Sequence, residues 1–196
     1  MDHKLFFGIA SAVFAIFSGI PYVRDILRNK TRMHAYSWLV WTILQVVGAI
    51  AQWHDGAGYG VWALAIATTV SALVFLLSFK YGTRNITRFD TVCLIAALIA
   101  LTLYLTMDDP LTAVITIVII DFFGFLPTFR KGWQEPETET ISTYALSGLA
   151  NFLALFALQQ HTLVTTLYIG SLFLTNASFV TMILCRKKNC GNRQRA

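Results

Sequence analysis

Four polar side chains stand inside long apolar runs, and their types limit the chemistry they can do. Gln45, Asn151 and Asn176 carry amides, which offer donors and an acceptor without charge and so suit a hydroxylated or otherwise polar, neutral solute. Asp121 is the only carboxylate well inside such a run. An ionisable group there is expensive and by default marks an ion, proton or substrate pathway, the competing role being a bond to a neighbouring helix. Trp38, Trp41 and Gln45 recur at intervals of three and four, which places them on one helical face as the wall of a cavity or, for the tryptophans, as interface anchors. Thr68, Thr69 and Ser71 give a hydroxyl-rich stretch that either lines a cavity or lets helices approach closely. The expected solute set is Gln45, Asn151, Asn176, Trp41 and Thr69, with Asp121 as the coupling group.

These residues need helices in a membrane to position them. The chain is 56% hydrophobic and 13% charged, with a mean hydropathy of +0.62, whereas a soluble domain carries roughly 25% charged residues. Seven nearly uncharged runs, 5–23, 38–53, 59–79, 89–107, 111–129, 144–158 and 163–184, are each about long enough to cross a hydrocarbon core of roughly 30 Å as a helix. Lipid leaves no other way to pair backbone groups within a span. Short turns such as His54-Asp-Gly-Ala-Gly58 and Gln159-Gln-His161 leave no room for a soluble domain.

An internal repeat orders the seven runs. Gly19-Ile-Pro-Tyr-Val-Arg24 near the start is echoed by Phe125-Leu-Pro-Thr-Phe-Arg130, and an offset of about 106 residues carries Gln45 onto Asn151, Trp62 onto Tyr168 and Thr69 onto Thr175. The fourth run has no counterpart. Three helices return the chain to the opposite side, so two like-oriented units need one extra crossing between them. The expected fold is all-α, with a first three-helix repeat over 5–79, a linker helix over 89–107, a second repeat over 111–184 and a basic tail over 185–196. Asp121 faces Ala15 in this alignment, so it belongs to one repeat only.

Charge sets the orientation. With seven spans, fourteen of the fifteen lysines and arginines fall on one side and Lys4 alone on the other, which puts the N-terminus outside and the C-terminus in the cytoplasm. A cleaved leader would reverse that sorting, so the first run is expected to be a retained span. The basic residues cluster at span ends, against anionic lipid rather than nucleic acid. Three cysteines imply no disulfide framework. There is no His-Glu-x-x-His metal pair, no second deep aspartate and no lysine in the seventh run. The expectation is therefore no enzyme, no cofactor and no metal, with the lipid bilayer and a small solute as partners and homo-oligomerisation left open.

Three spans, a linker and three spans, each repeat opening with a helix that ends Pro-x-x-Arg, resemble the SWEET and PQ-loop superfamily. Leu126-Pro-Thr-Phe-Arg130 is similar to the Pro-Thr-Phe segment of SWEET sugar transporters. Ser147-Gly-Leu-Ala-Asn151 and Asn176 resemble their asparagine-bearing segments. The resemblance implies transport by alternating access between two bundles, with Pro21 and Pro127 as gating hinges; the same architecture also serves receptors and sorting proteins. Tyr22 and Thr128 replace the family's glutamine, the second and sixth runs lack its prolines, and Asp121 falls outside its sugar-transport pattern.

Overall fold

The structure is a computed structural model that describes residues 2–30, 35–82, 88–106, 109–134, 136 and 140–193. Among these residues it is all-helical: α1 His3–Leu27, α2 Ala35–His54, α3 Trp62–Tyr81, α4 Arg88–Thr106, α5 Pro110–Gln134, α6 Ile141–Ala157 and α7 Leu163–Arg193, with a 3-10 turn Gly58–Val61 leading into α3.

Helix starts follow local chemistry. Asp2 accepts the Lys4 N–H at 3.0 Å and caps α1. Asp109 caps α5, accepting from the Thr112 N–H and hydroxyl, and Pro110 follows at the first helical position, where its missing N–H costs nothing. Ahead of α7, Thr162 and Thr165 exchange backbone-to-hydroxyl bonds in the reciprocal manner of a capping box.

The helices are apolar on the outside. On α1 the buried face is Gly8, Ser11, Ala15, Ser18 and Gly19, while Phe6, Ile9, Val13, Ile16, Phe17 and Ile20 are exposed. Small buried residues bring backbones close, and large apolar ones turned outward suit lipid rather than water. Three helical segments, His3–Leu27, Gly58–Tyr81 and Leu163–Lys188, are long and apolar enough to cross a membrane, and Pro110–Leu126 and Ile141–Ala157 are shorter apolar helices.

Packing follows one scheme in each half of the chain. In the first half α3 packs against both α1 and α2, and in the second α7 packs against both α5 and α6. The halves meet along α1 with α6 and along α2 with α5, and α4 lies against α2 and α5. The opening helices α1 and α5 are both 25 residues long.

The core falls into four clusters. One cluster joins Val40, Leu44 and Val47 of α2 to Val114, Ile117 and Ile120 of α5 and Tyr168 of α7. A second joins Ala15, Val61 and Ala63 to Ala150 and Ala154 of α6 and to Leu158 just beyond it. Two further clusters each stay within one half. Ile26 and Val74 pack with Tyr22, Trp38 and Tyr81, and Phe125, Phe179 and Ile183 pack with Phe129 and Tyr144. Both lie near the helix ends that carry Arg24, Lys80 and Arg186.

At the other end the turns themselves are bonded. The Gln159 and Gln160 N–H groups donate to the Ala57 and Gly56 carbonyls at 3.0 and 3.1 Å. The Lys4 ammonium donates to the Gln159 carbonyl at 3.0 Å, and the Thr162 hydroxyl bonds the Asp55 carboxylate. Gly56 and Gly58 have φ of +80° and +56°, and a Cβ at Gly58 would collide with the Gln159 side chain. Glycine is required here by backbone geometry and by the facing turn together.

Several helices outrun their expected bounds. The first run is expected over 5–23, yet α1 continues past Pro21 to Leu27. A proline near a helix end removes one backbone bond, while the added turn buries Ile26 against Val74 and pairs Arg24 with Asp25 at 3.1 Å. Likewise α5 runs on to Gln134 through position 127, and α7 to Arg193. The Pro127 side chain lies outside the described residues, as do Arg32, Arg84 and Arg195.

Candidate functional site

The three amides sit differently from one another. Gln45 on α2 accepts the Ser71 hydroxyl of α3 at 3.0 Å, a bond inside the first half. Asn151 on α6 and Asn176 on α7 each donate to their own helix, to the Ser147 carbonyl at 2.9 Å and the Leu172 carbonyl at 2.7 Å. That commits one N–H of each amide and leaves its oxygen and second N–H as an acceptor and a donor. Asn176 is buried, and a Cβ added at Gly148 would lie 3.3 Å from its own Cβ, so α6 and α7 are in close contact there. Gly148 and Asn151 share one face of α6, being three residues apart.

Trp41 turns toward the second half. Its ring is 5.3 Å from Trp38 and 6.2 Å from Phe125 of α5, and a Cβ at Gly124 would touch its Nε1 at 3.4 Å. The face shared by Trp41 and Gln45 therefore divides, the indole toward α5 and the amide toward α3. Behind Trp38 stands Tyr22, at 5.1 Å, and beyond Phe125 stand Phe129, Tyr144 and Phe179. A chain of rings thus runs from α1 to α7 through the Trp41–Phe125 contact.

Thr69 does not join this set. It is exposed on the same stripe of α3 as Ala65, Leu73 and Leu76, and its hydroxyl donates to the Ala65 carbonyl. The hydroxyl that reaches Gln45 is Ser71, two residues on and so on the far side of the helix. His54 and His161, in the two bonded turns, are exposed.

Asp121 is 7% exposed, on the stretch of α5 that carries Ile117 and Ile120 into the shared core. Tyr168 of α7 is fully buried in that core. Its ring rests on Gly48 of α2, where a Cβ would come within 2.6 Å of the ring carbon Cε1. Tyr168 and Gln52 are the site residues that sequence reasoning missed. Gln52 is fully buried and neither side-chain atom has a hydrogen-bond partner among the described residues; the Tyr168 hydroxyl is in the same condition. The signal for Gln52 was present, since it follows Gln45 by two helical turns on one face.

A groove of about 390 Å³ lies between α6 and α7, with Tyr144, Gly148, Phe152, Phe173 and Ala177 in its walls. Exposed Leu149 and Phe152 place it on the outer flank rather than between the halves. Among the described residues no group of three His, Cys, Asp or Glu side chains is placed to hold a metal. Both described ion pairs, His3 with Asp2 and Arg24 with Asp25, lie near the ends of α1.

No family model, no curated protein and no solved structure matches the chain.

Proposed function

We propose that the chain is a seven-span membrane transporter for a small, polar, uncharged solute, working by alternating access between α1–α3 and α5–α7 with α4 as linker. The observation that carries this reading is the unequal joining of the halves. They share two core clusters, one of which reaches Val40 and Trp41 toward the basic end of α2, and at the turn end they add a set of backbone hydrogen bonds. At the basic end each keeps its own cluster, and among the described aromatic pairs Trp41 with Phe125 reaches across. Two units clasped by backbone hydrogen bonds at one end and joined by side chains alone at the other can rock about the clasp. Positive charge at the loosely joined end assigns it to the cytoplasm, with the N-terminus outside. The pairing of α3 with α1 and α2, repeated by α7 with α5 and α6, supports the parallel repeat and with it the SWEET-like reading.

In this mechanism Gln45, Asn151 and Asn176 hydrogen-bond the solute near mid-membrane. Trp41 closes the cytoplasmic side, Pro21 and Pro127 soften the helices beside it, and Asp121 couples the cycle to an ion or proton. The test is uptake of radiolabelled neutral monosaccharides and polyols into proteoliposomes holding the full chain. Asn176→Ala and Gln45→Ala are each expected to lower uptake about tenfold, the loss that follows from one hydrogen bond of about 1.4 kcal/mol. Uptake no greater than in empty vesicles, or equal in wild type and both variants, would sink the proposal.

A further inference from the structure

The groove between α6 and α7 lies outside the proposed solute path, and its walls and charge fit an occupant from the bilayer. Its floor is where the two helices come closest: a Cβ at Gly148 would lie 3.3 Å from the Asn176 Cβ and 3.9 Å from the Ala177 nitrogen. At the end nearest the turn, the Phe152 ring of α6 and the Phe173 ring of α7 meet at 5.2 Å, so the groove stops there. The hydroxyl on its α7 wall, that of Thr181, donates to the Ala177 carbonyl at 2.8 Å and is spent within its own helix. Toward the basic end the α7 wall is prolonged. Thr181, Leu184 and Lys188 follow one another at intervals of three and four, on one stripe, and all three are exposed.

Size and charge select the occupant. From Phe173 to Thr181 the helix rises about 12 Å. Spread over that length, the 390 Å³ of the groove gives a section of about 30 Å², too narrow for a helix about 10 Å across but enough for a hydrocarbon chain. The flank is uncharged along its length, since α6 has no charged residue and α7 none before Arg186. Arg186 itself is turned to α5: its Nε donates to the Trp133 carbonyl at 3.2 Å and its guanidinium lies 4.5 Å from the centre of the indole. Lys188 is thus the exposed cation to which the groove leads, seven residues or about 10 Å of rise beyond Thr181. Glu135, Glu137 and Glu139, ahead of α6, lie outside the described residues.

We propose that this groove holds one acyl chain of an anionic phospholipid of the cytoplasmic leaflet, with the lipid phosphate at Lys188. The chain fills an apolar recess that water would fill at a cost, and the lysine stem runs along the same stripe to set its ammonium at headgroup level. The bound chain rests on Ala177, the neighbour of Asn176, and so braces the α6–α7 contact that holds that amide. The inference rests on the seven-span reading, which sets α6 and α7 in the bilayer and the basic end in the cytoplasm. It does not depend on transport.

The experiment follows thermal unfolding of the full chain in detergent as dioleoyl phosphatidylglycerol, dioleoyl phosphatidylcholine or glycerol phosphate is added. A ligand that binds only the folded state raises the midpoint with its concentration. Phosphatidylglycerol is expected to act at about a fivefold lower concentration than phosphatidylcholine, which is what one lysine is worth to an anionic lipid. Glycerol phosphate, the anion without the chain, should do nothing. Lys188→Gln should abolish the preference between the lipids, and Lys80→Gln, exposed at the same end of the other half, should keep it. Ala145→Phe puts a ring into the groove from an exposed position and should abolish the response to both lipids. A wild type that treats the lipids alike, a preference that survives Lys188→Gln, a response that survives Ala145→Phe, or glycerol phosphate acting as well as the lipid overturns the site. A single cysteine, Leu149→Cys with the native cysteines changed to serine, separates this result from the seven-span reading. In liposomes, its labelling by a water-soluble thiol reagent would sink both, whereas an unlabelled cysteine together with no lipid preference would sink this inference alone.

Discussion

The turn end and the basic end of the molecule join the same two halves by different means. At the turn end, alanines and glycines bring helices into contact, and two backbone N–H groups of one turn bond two carbonyls of the other. At the basic end the contacts are aromatic and mostly internal to each half. Backbone bonds fix distance and direction, whereas ring contacts are broad and exchangeable. The contrast teaches where motion is cheap. Parting the halves at the basic end separates side-chain contacts, Trp41 with Phe125 among them, and parting them at the turn end breaks a bonded clasp.

The largest expected effect comes from wedging the shared core. Gly48→Val would push against the Tyr168 ring and should cost about 3 kcal/mol, the upper range for overpacking. Gly132 offers the matched control at the other end, because a Cβ there meets Phe179 and Ile183 inside one half. Gly132→Val should cost a similar amount. Hydrogen exchange separates the two: the Gln159 and Gln160 amides should lose protection in Gly48→Val and keep it in Gly132→Val. Equal loss in both would break the comparison.

Trp41→Ala comes next, at about 2 kcal/mol for truncating a half-buried aromatic. It removes the ring that crosses to Phe125. A cysteine placed by Gly124→Cys should then react faster with a water-soluble thiol reagent, and turn-end exchange should stay as in wild type. Unchanged labelling would mean that Trp41 does not close this end.

The smallest effect is at the start of α5. The Thr112 hydroxyl, and then its backbone N–H, hold the Asp109 carboxyl below the usual carboxylate range. A folded value lowered in this way contributes stability above the ordinary carboxylate value, and the contribution is lost as pH falls through the lowered one. Acid should therefore fray the first turn of α5 before it touches the Gln159 amide. Asp109→Asn should remove that pH dependence, as read by exchange at Thr112.

Much of this architecture was legible in the sequence because helix chemistry is local. Apolar run lengths gave the number and order of the helices, and the glycine-rich and glutamine-rich turns stood out as polar interruptions. Helix ends were less legible. Pro21 marks a break only if nothing beyond it gains by staying helical, and the gain at Ile26 comes from Val74, far along the chain. The site was half legible for the same reason. Amides inside apolar runs show themselves by type, but whether a hydroxyl faces its own lipid stripe, as Thr69 does, or a neighbour, as Ser71 does, depends on how α3 is rotated against α2. Tyr168 reads as an ordinary aromatic until Gly48 is found beneath it.

The brevity of α6 has a further consequence. Its 17 residues rise about 25 Å, against a hydrocarbon core of about 30 Å, while its partner α1 has 25 residues to spend. On the proposed seven-span reading, a bilayer beside such an unequal pair would thin locally, at a fraction of a kcal/mol for each ångström of mismatch. On that reading membrane thickness becomes a variable of the protein. Short-chain lipids would favour whichever arrangement leaves α6 upright, and the α6–α7 flank would be the place where the bilayer is felt.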